Sequence, residues 1–199
     1  MRAEKVETEI RREQIAQAAL EIVGAHGLKG LTIERIASLV GVVPSALYRH
    51  YKGKNQVFDA VVETLHDTLM SIIKEARKCG NSPLERIKHV LLLHLRFAMQ
   101  FPGAPRIIFS DEILGGPTER KQKFAEAFKS FMNSLSEMFA EAQKNGSIRS
   151  DIDPRLFPSI YLGIFAPTMV QYQLSEGRFD MFKHAECMWK LFYESIKAT

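Results

Sequence analysis

The chain has 199 residues, of which 46% are hydrophobic and 25% are charged, an ordinary composition for a globular protein. No apolar run reaches the roughly 18 residues that a membrane-spanning helix needs, and the charged N-terminus lacks the apolar core of a secretory signal. Cys79 and Cys187 are isolated, with no CxxC spacing. The sequence therefore predicts a cytoplasmic protein with reduced thiols and no contact with a membrane.

The formal net charge of +4 is concentrated in one short stretch of the chain. Residues 29–58 contain five basic residues against the single acid Glu34, which accounts for the whole net charge. The five are Lys29, Arg35, Arg49, Lys52 and Lys54. A local basic surface beside a neutral body is typical of a protein that binds a polyanion. A solvated face with a few lysines is the alternative, and charge alone does not decide between the two.

Three helices are predicted in the first quarter of the chain, of which the second and third are short. Near the N-terminus, apolar residues recur at i, i+3, i+4, i+7 and i+8, which indicates an amphipathic helix that ends at Gly27. These residues are Ile15, Ala18, Ala19, Ile22 and Val23. Thr32 is a good N-cap for a second helix, which stops at Gly41. Pro44 is well tolerated at a first helical position and predicts a third helix to about Tyr51.

Six further helices are predicted in the rest of the chain, and no strand, repeat or low-complexity tract is found. Glycine and proline pairs separate the helices, as in Pro102-Gly103-Ala104-Pro105. The helices cover about residues 54–78, 83–101, 105–114, 118–144, 154–175 and 179–197. The predicted fold class is all-α, with about nine helices.

Residues 32–54, TIERIASLVGVVPSALYRHYKGK, have the pattern of a helix-turn-helix. Ala37 lies where two short helices must approach, Gly41 suits a turn with positive φ, and Val42 and Leu47 would fill the core between them. In this motif the second helix lies in the major groove of DNA. Short helical hairpins with glycine turns also occur in proteins that never bind DNA, so the pattern alone leaves both interpretations open.

The run from Leu31 to Phe58 resembles the DNA-binding signature of the TetR family. The matching residues are Thr32, Ile36, Ala37, Gly41, Val42, Leu47, Tyr48, Tyr51, Lys54, Val57 and Phe58. The resemblance covers about residues 10–60, and beyond them only chain length and helix count match. Val43 departs from the family, in which Ser or Thr often caps the third helix. The cap must come from elsewhere, or Pro44 partly compensates for it.

The resemblance implies a three-helix DNA-binding head and a helical body for ligand binding and dimerisation. We place the head at residues 1–53 and the body at residues 54–199. The helix at 154–175 is apolar nearly all round, so it needs cover on several faces. The resemblance implies that the last two helices pair with those of a second copy as a four-helix bundle, and such a dimer would bind a palindromic operator. A fully internal helix in a monomer is the alternative.

Ten residues are candidates for contacts with double-stranded DNA. Arg49 has the fork that recognises guanine, whereas Tyr48, Tyr51 and Lys54 would bind phosphates. For Tyr51 a core position with a wet hydroxyl is the alternative, and for His50 a plain surface position. The candidates are Thr32, Pro44, Ser45, Ala46, Tyr48, Arg49, His50, Tyr51, Lys52 and Lys54.

A ligand pocket inside the body is also implied by the resemblance. The candidate lining is rich in phenylalanine and methionine, which predicts a small, largely apolar effector. Aromatic and methionine stripes at helical spacing are also typical of an ordinary core. The candidates are Leu65, Leu69, Leu91, His94, Phe97, Phe101, Phe109, Phe128, Phe131, Met132, Tyr161, Phe165 and Met169.

Two other classes of function fit the sequence less well. An enzyme is disfavoured because GxSxG, HExxH, P-loop and GxGxxG motifs are absent. His89 and His94 are not on one helical face, so neither a metal site nor a cofactor is expected. A helical ligand-binding or adaptor protein that does not bind DNA is the alternative, and the basic stretch at 29–58 speaks against it. We predict a DNA-binding transcriptional regulator, by default a repressor, released from its operator by the effector.

Overall fold

The computed structural model describes residues 2–80 and 82–198, and it describes side chains from residue 11 onward. Most of these residues are helical, and the predicted all-α class is confirmed. The helices are α1 (Arg2–His26), α2 (Ile33–Val40), α3 (Pro44–Tyr48), α4 (Lys54–Ala76), α5 (Pro83–Gln100), α6 (Gly103–Ile108), α7 (Asp111–Leu114), α8 (Thr118–Lys144), α9 (Phe157–Leu174) and α10 (Met181–Ile196). Single 3-10 turns lie at Leu28–Gly30 and Pro154–Leu156. None of the described helices has the length and apolar character to cross a membrane.

Two of the predicted helices differ from those observed. The third helix ends at Tyr48 rather than near Tyr51, because the backbone N–H groups of His50 and Tyr51 both donate to the carbonyl oxygen of Leu47 and close the last turn. The segment predicted at 105–114 is two helices, α6 and α7. Ser110 divides them, since its extended backbone (φ −81°, ψ 156°) cannot continue α6.

Two compact units emerge from the pattern of contacts along the chain. The first combines Met1–Thr68 with Gln100–Ala127, and the second combines Leu69–Met99 with Phe128–Thr199. We call them unit 1 and unit 2. The boundary between head and body at residues 53 and 54 stays a prediction.

In unit 1, helix α1 packs against α2 and α6. The backbones of α1 and α6 meet so closely that a Cβ on Gly103 would overlap the carbonyl group of Leu20. The guanidinium of Arg106 donates to the carbonyl oxygens of Gly24 at 2.9 Å and Val23 at 3.3 Å. These carbonyls lie near the C-terminus of α1, where a cation is favourable and backbone acceptors need partners. Gly103 therefore allows α6 to approach α1 closely, and Arg106 holds the two helices together through its hydrogen bonds.

The core of unit 2 is built from α5, α8, α9, α10 and the C-terminal part of α4. Phe139 and Phe157 lie with ring centroids 5.0 Å apart, and Phe192 packs edge-on against both. At the start of α5, the backbone N–H of Glu85 donates to the Ser82 hydroxyl while that of Ser82 donates to the Glu85 carboxylate, each at 3.2 Å. This reciprocal capping box explains why α5 begins where it does.

Candidate functional site

The predicted helix-turn-helix is present as α2, a tight turn and α3. The hydroxyl of Thr32 accepts a hydrogen bond of 3.3 Å from the backbone N–H of Arg35, so Thr32 is the N-cap that the sequence predicted. Gly41 has φ 75° at the C-cap, which favours glycine. The N–H of Val42 donates to the carbonyl oxygen of Ala37 at 2.9 Å. These bonds fix the turn that positions α3.

Helix α3 presents most of its candidate residues to solvent. Only Leu47 is buried, with 1% of its surface exposed, and it anchors the helix in the head. Tyr48 is 52% exposed. Within the described part of the chain Arg49 forms no ion pair, so its guanidinium is available to an external partner. The other candidates in and after α3 with an exposed or partly exposed side chain are Pro44, Ser45, Ala46, His50 and Lys52.

Tyr51 does not belong to this exposed face. It is 4% exposed, and its hydroxyl has no hydrogen-bond partner among the residues described. Burial raises the pKa of Tyr51 above its ordinary value. A buried hydroxyl cannot reach a phosphate, so the structure removes Tyr51 from the candidate contacts and supports its alternative role as a core aromatic.

Lys54 is partly buried at the first position of α4. Its ammonium donates to the carbonyl oxygen of Leu28 at 3.4 Å, in the 3-10 turn that follows α1. A lysine at a helix N-terminus opposes the helix dipole, and this carbonyl provides compensation within the protein. The ammonium has two further N–H donors, so a phosphate contact by Lys54 stays a prediction.

The thirteen candidate pocket residues are divided between the two units. Three belong to unit 1, namely Leu65, Phe101 and Phe109. The ten in unit 2 are Leu69, Leu91, His94, Phe97, Phe128, Phe131, Met132, Tyr161, Phe165 and Met169. Phe109 is 70% exposed and Phe128 is 44% exposed. An enclosed pocket would cover such side chains, so their exposure does not favour these two assignments, which stay predictions.

A polar pair lies inside the apolar core of unit 2. His94 Nδ1 and the Tyr161 hydroxyl share a hydrogen bond of 3.0 Å. The imidazole is stacked on Phe165 with ring centroids 3.7 Å apart and meets Phe131 edge-on at 5.6 Å. Burial lowers the pKa of His94 to about 3 and raises that of Tyr161 well above its ordinary value. Both groups are therefore neutral at pH 7, and together they offer only uncharged hydrogen bonding.

A surface cleft of about 200 Å³ lies in unit 1. It is lined by Asn55, Asp59, Pro117, Glu119, Arg120 and Lys123. None of the candidate pocket residues is among them, and the charged lining does not suit an apolar effector.

Arg120 is the buried residue of this cleft, with 6% of its side chain exposed. Its Nε donates to the Asp59 carboxylate at 2.6 Å, and its guanidinium carbon lies 4.8 Å from the centroid of the Phe58 ring. The guanidinium also donates to the carboxylate and the backbone carbonyl oxygen of Glu112, and to the backbone carbonyl oxygen of Asn55. The sequence analysis missed Arg120, because its carboxylate partner Asp59 lies 61 positions away and no local pattern joins them.

An exposed apolar stripe runs along α9, beginning in the 3-10 turn before it. Its large members are between 46% and 80% exposed. They are Leu156, Ile160, Val170 and Leu174, with exposed Gly163 and Pro167 between them. The spacing alternates between four and three residues, the spacing of a helix face that packs against another helix.

Comparison with known proteins decides which family has this combination of head and body. Residues 15–61 match the bacterial regulatory proteins of the tetR family, and residues 59–195 match the C-terminal region of the YsiA-like protein. The chain belongs to the TetR family. The resemblance inferred from Leu31 to Phe58 is thereby confirmed. TetR proteins are regulators with a helix-turn-helix and a ligand-binding body, and the relatives of this chain are regulators rather than enzymes.

Individual relatives extend over nearly the whole chain. The nucleoid occlusion factor SlmA of Vibrio vulnificus is 27% identical over 188 residues, which are 94% of this chain and 96% of SlmA. The regulator FadR of Bacillus subtilis in complex with stearoyl-CoA has a TM-score of 0.76 at 21% identity, covering 90% of this chain and 96% of FadR. A putative regulator of Saccharomonospora viridis in complex with choline has a TM-score of 0.79 at 13% identity, covering 96% and 100%. The two structures establish a shared fold.

Proposed function

We propose that this TetR-family protein is a transcriptional regulator that binds a palindromic operator as a homodimer and acts in the cytoplasm. By the family's usual mode it represses, and a small, largely apolar effector releases it. The observation that carries the proposal is the exposed face of α3. There Arg49 lacks an ion-pair partner among the described residues while Leu47 fixes the helix from behind. A guanidinium at the C-cap of a short helix that Leu47 anchors suits the O6 and N7 acceptors of guanine in the major groove.

The remaining contacts divide by what each side chain can recognise. Tyr48 and Lys54 bind phosphates and set the register, whereas Arg49, Ser45 and His50 face base edges. The candidates whose contribution is shape or backbone contact are Thr32, Pro44, Ala46 and Lys52. The homodimer is supported by the apolar stripe on α9, because exposed Val170 and Leu174 need the cover that a second copy provides.

Removing both phosphate contacts should weaken DNA binding without affecting the dimer. We expect the double variant Tyr48→Ala, Lys54→Ala to raise Kd by about a hundredfold or more, since each of the two lost hydrogen bonds to a charged phosphate contributes about 1.5–3 kcal/mol. The slope of log K against log salt should also fall, by about one for each Lys54–phosphate contact that is lost, whereas the neutral Tyr48 hydroxyl does not contribute to the slope. The measurement is a fluorescence-anisotropy titration on the duplex recovered by genomic selection, with sedimentation to confirm the dimer.

A matched pair of single variants tests the assignment of the two tyrosines. Tyr48→Phe and Tyr51→Phe each remove one hydroxyl, but only the Tyr48 ring is exposed. Tyr48→Phe should weaken binding a few-fold, and Tyr51→Phe should leave Kd unchanged within twofold. Equal effects would contradict the assignment. If no sequence is enriched by the purified protein at moderate salt, the regulator proposal fails and the adaptor alternative gains.

An apolar effector is supported by the composition of the core of unit 2. His94 and Tyr161 are the polar pair beside Phe131 and Phe165, and both are uncharged at pH 7. A charged ligand group would find no opposite charge there, whereas an apolar chain with one neutral polar group would be accommodated. The stearoyl-CoA bound by FadR of Bacillus subtilis is a ligand with a long apolar chain.

Thermal-shift measurements distinguish the two kinds of effector. We expect oleyl alcohol or another long-chain neutral lipid to raise Tm, because a ligand that binds only the folded state stabilises it, by about 2.7 kcal/mol at a hundred times Kd. Choline, a permanent cation, should give no shift. Stabilisation by choline alone would exclude the apolar effector but would leave the DNA-binding proposal standing.

A second function is favoured by the similarity to SlmA, which spans 94% of the chain. By its name, a nucleoid occlusion factor acts at the nucleoid. If this chain has that function, we expect many binding sites scattered over the genome. A regulator of a few genes should select sites near their promoters. The same genomic selection therefore separates the two functions by the number and position of the recovered sites.

A further inference from the structure

Val43 stands at the N-cap of α3 and is 64% exposed. Its side chain makes no capping hydrogen bond, whereas Ser, Thr, Asp or Asn at this position would accept one from the helix N-terminus. The free protein therefore carries an apolar side chain at a position where a polar one would stabilise α3. A single exposed valine needs no explanation by itself. Its place at the N-terminal end of the helix proposed to enter the major groove makes it a candidate for contact with DNA.

The backbone holds Val43 in a fixed orientation. The preceding Val42 N–H is bonded to the carbonyl oxygen of Ala37, and the Val43 carbonyl oxygen accepts a 2.9 Å hydrogen bond from the Ala46 N–H. Pro44 follows directly and restricts its own φ. Because valine is branched at Cβ, its two methyl groups have few accessible rotamers. Val43 therefore exposes two methyl groups with little rotational freedom at the N-terminal end of α3.

The two ends of α3 differ in chemistry. At the N-terminal end, Val43, Pro44 and Ala46 present methyl and methylene groups, and Ser45 supplies the single polar side chain. At the C-terminal end, Arg49 supplies hydrogen-bond donors. In the major groove only thymine, among the four bases, displays a methyl group, and apolar side chains recognise it by contact.

We infer that Val43 recognises the 5-methyl group of a thymine in each half of the operator. Because Val43 and Arg49 lie at opposite ends of α3, this thymine and the base that Arg49 contacts lie at opposite ends of the half-site. This inference rests on the proposed DNA-binding function and makes Val43 a residue that determines specificity. Burying one methyl group contributes about 0.8 kcal/mol, which corresponds to a factor of about four in Kd for each half-site. With two half-sites the factors multiply to about fifteen.

Deoxyuridine tests the inference because it differs from thymine only by that methyl group. The probe is the duplex recovered by genomic selection, with each thymine of the half-site replaced in turn by deoxyuridine in both halves. For the unaltered protein we expect one position at which the replacement raises Kd by about fifteenfold. With Val43→Ser the same replacement should change Kd less than twofold, and with Val43→Thr, which keeps one methyl group, the effect should be intermediate.

Two controls separate this effect from folding and from general binding. Leu114→Ala trims another exposed apolar residue, on α7, and should keep the full preference for thymine. Val43→Ser gains an N-cap and should raise Tm by about 2–4 °C, which shows that the variant is folded.

Three outcomes would count against the inference. A deoxyuridine effect of equal size in Val43→Ser, or no effect of any replacement on the unaltered protein, overturns it while DNA binding stands. Selection that enriches no sequence at all overturns the proposed function itself, and the inference with it.

Discussion

Arg120→Ala is expected to lower the free energy of unfolding by about 3 kcal/mol. Removing one partner of a buried ion pair costs about 3–5 kcal/mol, because the remaining charge is left without compensation. Here Asp59 is 35% exposed and Glu112 is 44% exposed, so water reaches both carboxylates and the loss lies at the lower end. The contact of the guanidinium with the Phe58 ring, 4.8 Å away, adds a further contribution. Urea denaturation at pH 7 measures the difference.

Lys123→Ala is the matched control for Arg120. Lys123 lies on the same helix and lines the same cleft, but its side chain is 52% exposed and its ion pair with Glu119 is 3.4 Å long. An exposed pair at i,i+4 contributes only about 0.3–0.5 kcal/mol, so this variant should be nearly as stable as the unaltered protein. An equal loss of unfolding free energy in the two variants would show that the buried contacts of Arg120 do not stabilise unit 1 more than an exposed ion pair does. Arg120→Lys keeps the charge but not the fork, and should recover only part of the loss.

Unit 2 is expected to lose stability in mild acid because of His94. Its pKa in the folded protein is about 3, whereas a histidine in an unfolded chain has a pKa near 6.5. Between these values the unfolded state binds more protons, so the free energy of unfolding falls as the pH falls. The slope is at most about 1.4 kcal/mol per pH unit, which amounts to about 2 kcal/mol between pH 7 and pH 5. Above pH 6.5 this contribution is fully present.

His94→Gln isolates this contribution from the titration of other groups. Glutamine keeps the capacity to hydrogen-bond with Tyr161 but has no proton to gain over this range. The variant should be less stable at pH 7, since it loses the ring stacked on Phe165, but its loss between pH 7 and pH 5 should be smaller by about 2 kcal/mol. His89→Gln, at a partly exposed position of the same helix, should keep the full loss. An unchanged pH dependence in His94→Gln would contradict the burial of a neutral imidazole.

The family and the helix-turn-helix could be predicted from the sequence because their signals are local. Thr32 caps the helix that directly follows it, Gly41 takes a positive φ between two adjacent helices, and Pro44 begins the next one. Each depends on backbone geometry within a few residues. The spacing of apolar residues likewise placed the long helices, including α8 from Thr118 to Lys144.

Burial could not be predicted in the same way, since it depends on which distant elements meet. Tyr48 and Tyr51 are three positions apart and alike in chemistry, yet packing in the head leaves one ring exposed and covers the other. The same reason placed Phe109 in solvent although its type suggested a pocket.

By itself, then, the sequence determined most of the helices, the turn and the family of this protein, because these features depend on residues close together in the chain. Only the tertiary structure decided that Arg120 meets Asp59 and that His94 is buried beside Tyr161. The tertiary structure also leaves Val43 exposed to solvent at the N-cap of α3. These properties arise from contacts, or their absence, between segments far apart in the chain, and the desolvation of a charged or polar group is set by those contacts rather than by its neighbours in sequence.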